Sequence, residues 1–243
     1  RAVGLAAAMN LPWIPVRRRP RIALLSTGDE IARPGDPINE THIVSSNTVM
    51  LSAFIRACGG EPVDLGIAGD RPDEITARAR GARGCDLLVT TGGASVGDHD
   101  HVQSALGDRI DFWKIALRPG KPLMFGQFGD TPLLGAPGNP VSAYVVAALF
   151  LRPILRRFLG LDPIIPPYQP AIAAIDLAAN GPRETFLRAM RDPMDPTRIR
   201  PAATQDSGMI SVAAGSDCLL RREIRAPAAV AGDAVEILPL DFD

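Results

Sequence analysis

Cys85-Asp-Leu-Leu-Val-Thr-Thr-Gly-Gly-Ala-Ser-Val-Gly-Asp-His-Asp100 decides how the chain folds. A short apolar run, Leu87-Leu88-Val89, stops at two threonines, two glycines, a serine, a third glycine and then acids. A buried parallel strand that delivers such a loop to the carboxyl edge of a sheet is the usual ligand-binding arrangement of open α/β proteins. Gly92, Gly93 and Gly97 let backbone N–H groups approach a phosphate, and Asp98 and Asp100 suit a metal ion or its water. A plain turn after a strand is the competing reading.

Working outward, strands and helices alternate. A buried strand is expected at 22–25, a helix at 47–57 ending in Gly59-Gly60, a strand at 63–68, a helix at 72–82 and a strand at 86–90. Shorter strands follow at 110–116, 123–128 and 133–134, then a long helix at 141–158. This order predicts a three-layer α/β/α domain with a mainly parallel sheet over residues 21–161. Residues 1–20 read as a linker, or the remnant of a preceding domain. After a proline-rich connector, residues 168–243 carry period-two alternation at 171–177, 185–190, 219–224 and 234–238. Asn180-Gly181 and Ala231-Gly232-Asp233 mark turns between them, so a small all-β barrel or sandwich is expected there.

Composition narrows the function classes. With 243 residues, 46% hydrophobic and 22% charged, the chain can bury a substantial core. A net charge of −1 gives no general pull toward nucleic acid or anionic membrane, so a polyanion must be met by a local site. Cys58, Cys85 and Cys218 form no C-x-x-C pair, which predicts buried thiols in a reducing cytoplasm. The longest apolar run, residues 141–151, is too short to span a bilayer. The chain starts with arginine, so it is expected to be a piece of a longer protein. It has no P-loop lysine motif and no Gly-x-Ser-x-Gly elbow, which disfavours P-loop hydrolysis and classical acyl transfer. His99 and His101 flank Asp100, but a transition-metal site would need further soft ligands.

The remaining candidate segments all fall at strand ends. Ser26-Thr27-Gly28-Asp29-Glu30 offers hydroxyls, a glycine and two carboxylates for an anion or a cation, or an ordinary turn. Asp70 follows the second strand and alternatively caps the helix at Pro72. Arg118-Pro-Gly-Lys-Pro122 places two cations around a turn, suited to phosphate or another oxyanion, or forms a solvated hairpin. In Pro137-Gly138-Asn139-Pro140-Val141-Ser142, Asn139 reads as an N-cap and Pro140 as the first helical residue. That would leave the N–H groups of Val141 and Ser142 free to face an anion.

Taken in order, Ser26–Glu30, Thr91–Asp100, Arg118–Pro122 and Pro137–Ser142 resemble the molybdopterin molybdenumtransferases, enzymes of molybdenum cofactor assembly related to the E domain of gephyrin. Gln205-Asp-Ser-Gly-Met209 and Ala231-Gly-Asp-Ala-Val235 resemble that family's C-terminal β-domain. The resemblance implies conversion of adenylylated molybdopterin and molybdate to molybdenum cofactor with release of AMP, assisted by magnesium, in an elongated homodimer. It implies that Glu30, Asp70 and Asp100 are the acidic catalytic and metal-binding residues. Ser26, Thr27, Gly28, Gly92, Gly93, Ser95 and Gly97 would cradle phosphates. Arg118 and Lys121 would neutralise phosphate or molybdate, Pro137, Gly138, Asn139, Pro140 and Ser142 would shape the helix entrance, and Arg188 and Ser207 would help hold molybdate. Arg118 stands where the family commonly has lysine, and Gly215-Ser216-Asp217 replaces a more usual Ala-Asn pair. The family's preceding domains are absent from this chain. Two alternatives remain open: a molybdopterin adenylyltransferase, and a non-catalytic molybdopterin-binding scaffold.

Overall fold

The computed structural model describes residues 1–92, 101–106 and 109–241. The first elements are α1 (Ala2–Ala8), β1 (Arg21–Thr27), β2 (Ile31–Ala32), β3 (Ile43–Val44), α2 (Asn47–Ala57), β4 (Glu61–Ala68) and α3 (Pro72–Ala79). They are followed by β5 (Leu87–Thr91), α4 (His101–Leu106), β6 (Arg109–Trp113), β7 (Leu117–Arg118), β8 (Met124–Phe128) and β9 (Thr131–Ala136). A six-stranded sheet has the order β4-β1-β5-β9-β8-β6. β4, β1, β5 and β9 run parallel, β8 returns antiparallel to β9, and β6 lies antiparallel to β8.

Alternation along the strands supplies both faces with apolar side chains. Ile22 and Leu24 of β1, with Leu87 and Val89 of β5, pack with Leu51, Phe54 and Ile55 of α2. Ala23, Leu25 and Leu88 point the other way, into a cluster with Ile75 and Ala79 of α3 and Val102 and Leu106 of α4. Each fully buried Leu or Ile stabilises by about 1.5–3 kcal/mol relative to exposure. The sheet is therefore covered on both sides, as the near-continuous apolar runs imply.

The expected long helix is α5 (Pro140–Val146), a π-helical turn at Ala147–Leu151, and α6 (Arg152–Leu159), ended by Gly160 in the left-handed region at φ 69°. Pro153 has no N–H, and its ring would press on the carbonyl four residues back in a regular α-helix. The widened turn sits where that conflict falls.

The second unit contains β10 (Gln169–Ala173), β11 (Glu184–Arg191), β12 (Arg198–Pro201), α7 (Ile210–Ala214), β13 (Cys218–Arg222) and β14 (Ala234–Pro239). The order β12-β10-β14-β13-β11 closes on itself through a β11–β12 pairing, giving a small barrel. β7 also joins it: Leu117 and Arg118 pair in parallel with Glu184 and Thr185 of β11. The Arg118–Pro122 turn is thus no hairpin within the first sheet, but a crossing point between the two units.

Other differences are local. The strand expected over 171–177 ends at Ala173, and Leu177 instead bridges to Ala229. Residues 1–20 hold α1, no side chain of which is buried. The apolar residues that follow, including Trp13 and Val16, are exposed.

Candidate functional site

The C-terminal ends of β1, β4, β5 and β9 lie along one edge of the sheet, where the described loops after β1, β4 and β9 begin. Ser26 and Thr27, the last residues of β1, are buried. Ser26 Oγ lies 2.7 Å from Thr48 Oγ1 and 3.1 Å from Thr91 Oγ1, a chain of hydroxyls linking β1, the start of α2 and the end of β5. Gly92 follows at φ +89°, where a Cβ would sit 2.2 Å from the Thr27 carbonyl oxygen, so no side chain fits. Gly138 packs against the same glycine, its added Cβ falling 3.4 Å from the Gly92 Cα. The Asn47 side-chain N–H donates to the Gly138 carbonyl at 2.7 Å and holds the β9–α5 loop to α2. Thr27 Oγ1, Thr90 Oγ1 and Asn47 Oδ1 are buried without a hydrogen-bond partner among the described residues.

The acids cluster at the ends of β1 and β4. The Gly28 N–H donates to the Ala68 carbonyl at 3.1 Å, joining the two loops. The Asp29 N–H donates to the Asp70 carboxylate at 3.4 Å, and the Asp70 N–H donates to the Asp29 carboxylate at 3.1 Å. The Glu30 carboxylate folds back over Gly28, where a Cβ would lie 2.7 Å from Glu30 Oε2. Asp70 does not cap α3: Arg71 occupies that position and makes no side-chain cap bond. Gly93, Ser95, Gly97, Asp98, His99 and Asp100 lie outside the described residues. Among the described residues, no three His, Cys, Asp or Glu side chains meet in an arrangement able to hold a metal ion. The hard carboxylate oxygens of Glu30 and Asp70 nonetheless suit magnesium in kind.

A cleft of about 610 Å³ opens where the barrel meets the sheet domain, between Arg118, Lys121, Ser142, Arg183, Arg188 and Ser207. Arg188 forms its floor. It is only 2% exposed, its Nη1 donates to the Phe186 carbonyl at 3.4 Å, and its Nε and Nη2 have no partner among the described residues. Its pKa is pulled below the ordinary arginine value, first by burial and then by repulsion from Arg118, while Asp206 acts the other way. Among the described residues Arg118, Lys121 and Arg183 form no ion pair. Arg222 also lines the cleft but is committed to the carbonyls of Ala178 and Pro227. A buried guanidinium without an ion pair among the described residues, with Arg118, Lys121 and Arg183 around it, has the chemistry to receive an oxyanion.

Two parts of the expected helix entrance differ. Asn139 occupies the N-cap position of α5 without a side-chain cap bond, and its amide donates instead to Ser207 Oγ at 3.0 Å. The Val141 N–H is not free, since it donates to the Ser207 carbonyl at 3.2 Å. Ser207 thereby ties the barrel to the helix start, and the helix dipole is met by protein there. Glu30 and Asp70 lie at the sheet edge but do not line the cleft, whereas Arg118, Lys121, Ser142, Arg188 and Ser207 do. Asn47, Thr48 and Arg183 carry no sequence expectation of a site role, and Gln205 enters there only as part of the Gln205–Met209 resemblance. Asn47 and Thr48 stand at the start of α2, where a polar pair opening an apolar helix is the available signal.

Comparison with known proteins agrees with this layout. The family described as "Probable molybdopterin binding domain" matches residues 23–157, and "MoeA C-terminal region (domain IV)" matches residues 170–240. The molybdopterin molybdenumtransferase 2 of Mycobacterium tuberculosis is 37% identical over 199 residues, covering 78% of this chain and 49% of that protein. The molybdopterin molybdenumtransferase of Haemophilus influenzae is 30% identical over 246 residues, covering 99% of this chain and 61% of that protein. A crystal structure of the molybdopterin biosynthesis moeA protein from Pyrococcus horikosii has a TM-score of 0.84 at 26% identity, covering 99% of this chain and 59% of that one. The chain spans about half the length of the relatives it matches.

Proposed function

Because the chain belongs to the molybdopterin molybdenumtransferase family, we propose that it carries the site at which molybdate and adenylylated molybdopterin meet, molybdenum being inserted and AMP released. The observation that carries this reading is the buried guanidinium of Arg188, two of whose nitrogens have no partner among the described residues, at the base of a cationic cleft. Molybdate is a tetrahedral dianion, and such a floor holds it against water. Arg118 and Lys121, exposed at the cleft mouth, neutralise phosphate oxygens of the pterin substrate. The Ser26, Thr48 and Thr91 hydroxyls and the close backbone approach at Gly92, with Thr27 and Gly28, line the sheet edge where the pterin phosphate is cradled; Gly93, Ser95 and Gly97 are assigned the same role from sequence alone. Pro137, Gly138, Asn139 and Pro140 shape the boundary between that edge and the cleft.

Glu30, Asp70 and Asp100 would hold the magnesium ion through oxygen ligands. When bound, that ion adds positive charge at the diphosphate whose bond is cut. The chain's own cations then stabilise charge on the departing AMP. An adenylyltransferase reading is less well supported, because most of the cleft wall comes from the barrel, to which the second family match belongs. The free thiols at Cys58, Cys85 and Cys218 support a cytoplasmic setting. No helix among the described residues is long and apolar enough to cross a membrane. In the whole protein we expect a homodimer.

The test supplies adenylylated molybdopterin, magnesium and molybdate and follows AMP. The native chain is expected to release AMP in a molybdate-dependent manner, and Asp100→Ala at least about tenfold more slowly. Release that ignores molybdate, or is equal in both proteins, would sink the reading.

A further inference from the structure

We infer that Gln205 is a positioning residue for the oxyanion site: its side-chain amide stands in for a missing stretch of β-strand and sets where the Arg188 guanidinium lies. This rests on the oxyanion reading of the cleft. One edge of β11 is shared between two short partners. β7 pairs only with Glu184 and Thr185 at its start, and β12 only with Ala189 to Arg191 at its end. Between them no strand covers Phe186 to Arg188. Gln205 fills the end of that gap from a loop. Its Oε1 accepts the Arg188 N–H at 2.9 Å, and its Nε2 donates to the Arg188 carbonyl at 3.0 Å and to the Ala202 carbonyl at 3.0 Å. Both main-chain groups of Arg188 are thus gripped by one planar amide, as a neighbouring strand would grip them.

The same loop then reaches across to the sheet domain. Asp206 Oδ1 accepts the Gly208 N–H at 2.8 Å and turns the chain. Ser207 accepts hydrogen bonds from the Asn139 side chain and the Val141 N–H at the start of α5. Residues 205–207 therefore form a strut whose one foot stands on Arg188 and the other on α5. Gln205, Ser207 and Arg188 all line the cleft. Among the described residues the guanidinium is held only by the long Nη1 bond to the Phe186 carbonyl at 3.4 Å, so the strut helps set the distance between it and the opposing wall. The Arg188 carbonyl also accepts the Ala202 N–H at 2.8 Å, so shortening or removing the amide releases the Arg188 N–H and leaves the carbonyl on that one bond, which lets the guanidinium shift.

The decisive measurement is equilibrium dialysis of labelled molybdate against the native chain, Gln205→Ala, Gln205→Asn and Arg188→Ala, fitting affinity and number of sites separately. Thermal unfolding of each protein is recorded alongside. A merely structural role lowers the number of sites and leaves the affinity of the folded fraction unchanged. Positioning raises Kd at least about tenfold with the site number intact. We expect that second pattern for Gln205→Ala and Gln205→Asn, and loss of binding for Arg188→Ala. Native-like affinity in both Gln205 variants, or a fall in site number alone, overturns the role of Gln205. Molybdate binding that survives in Arg188→Ala overturns the oxyanion reading itself, as does a native chain that binds none, and either result takes the role of Gln205 with it.

Discussion

Arg188 illustrates how a residue can cost stability and be kept for chemistry. Its side chain is 2% exposed, two of its nitrogens lack partners, and the cation nearest in effect, Arg118, repels it. Burying a charge without a counter-charge costs desolvation free energy that an apolar side chain of similar length does not incur. Arg188→Met is therefore expected to unfold at an equal or higher urea concentration than the native chain when no oxyanion is present. Added molybdate should raise the native midpoint, because a ligand that binds only the folded state stabilises it. It should leave Arg188→Met unmoved. Equal molybdate shifts in both proteins would remove Arg188 from the site. From sequence, Arg188 was legible only through family resemblance, since an arginine in an alternating strand reads as a solvent-facing residue. Gln205 was less legible still. Its role depends on β7 and β12 both stopping short on β11, which local pattern does not express.

At the scale of elements, the sheet order follows from alternation and the turns from glycine. β1 is anchored by a feature outside it. Asp86, just before β5, accepts two hydrogen bonds from the Arg18 guanidinium at 2.6 and 2.7 Å and one from the Arg21 N–H at 2.7 Å. This pins the segment before β1 to the strand beside it. The Arg18 side chain, and after it the Arg21 N–H, hold the Asp86 carboxyl below its usual pKa against the opposing effect of burial. A carboxylate with a depressed folded-state pKa stabilises above its unfolded value of about 3.9 and loses that contribution as pH falls through the folded one. Asp86→Asn should thus lower the urea midpoint slightly at pH 7, and the gap should close as the pH drops below about 4. A gap that widens on acidification would contradict this. The pair is exposed on the arginine side, so the effect is small and shrinks in salt. The long central strands and helices were legible because each buries its own periodic stripe. β2, β3, β7 and β12 were not, being two to four residues long and defined only by what they pair with. Residues 117–118 belong by sequence to one unit and by hydrogen bonds to the other.

Across the whole molecule the two units share one core. Phe186 of β11, Leu219 of β13 and Leu238 of β14 belong to the same buried cluster as Leu117, Val146 and Leu151 of the sheet domain. Phe186 is 1% exposed and stacks on Tyr168 with ring centroids 6.3 Å apart. The seam is reinforced by β7 on β11, by Ser207 on α5, and by Arg152 of α6, which donates to the carbonyls of Pro239 and Asp241. A barrel joined in this way cannot loosen without exposing the apolar side of α5 and its π-helical turn. Phe186→Ala should cost about 3–5 kcal/mol through lost burial and the cavity left behind. Cooperativity is the more telling readout. If the core is continuous, the variant melts in one transition, and tryptophan fluorescence from Trp113 in the sheet domain falls together with the near-ultraviolet signal of Tyr168 beside the barrel. Two separated transitions, with the Trp113 signal at its native midpoint, would mean that the barrel is an independent unit. The cleft would then be a flexible joint between two bodies, and an oxyanion held from both walls would have to assemble its own site on binding. A single transition means instead that the walls stand ready before the ligand arrives, which favours tight capture of a small dianion because little ordering remains to be done on binding.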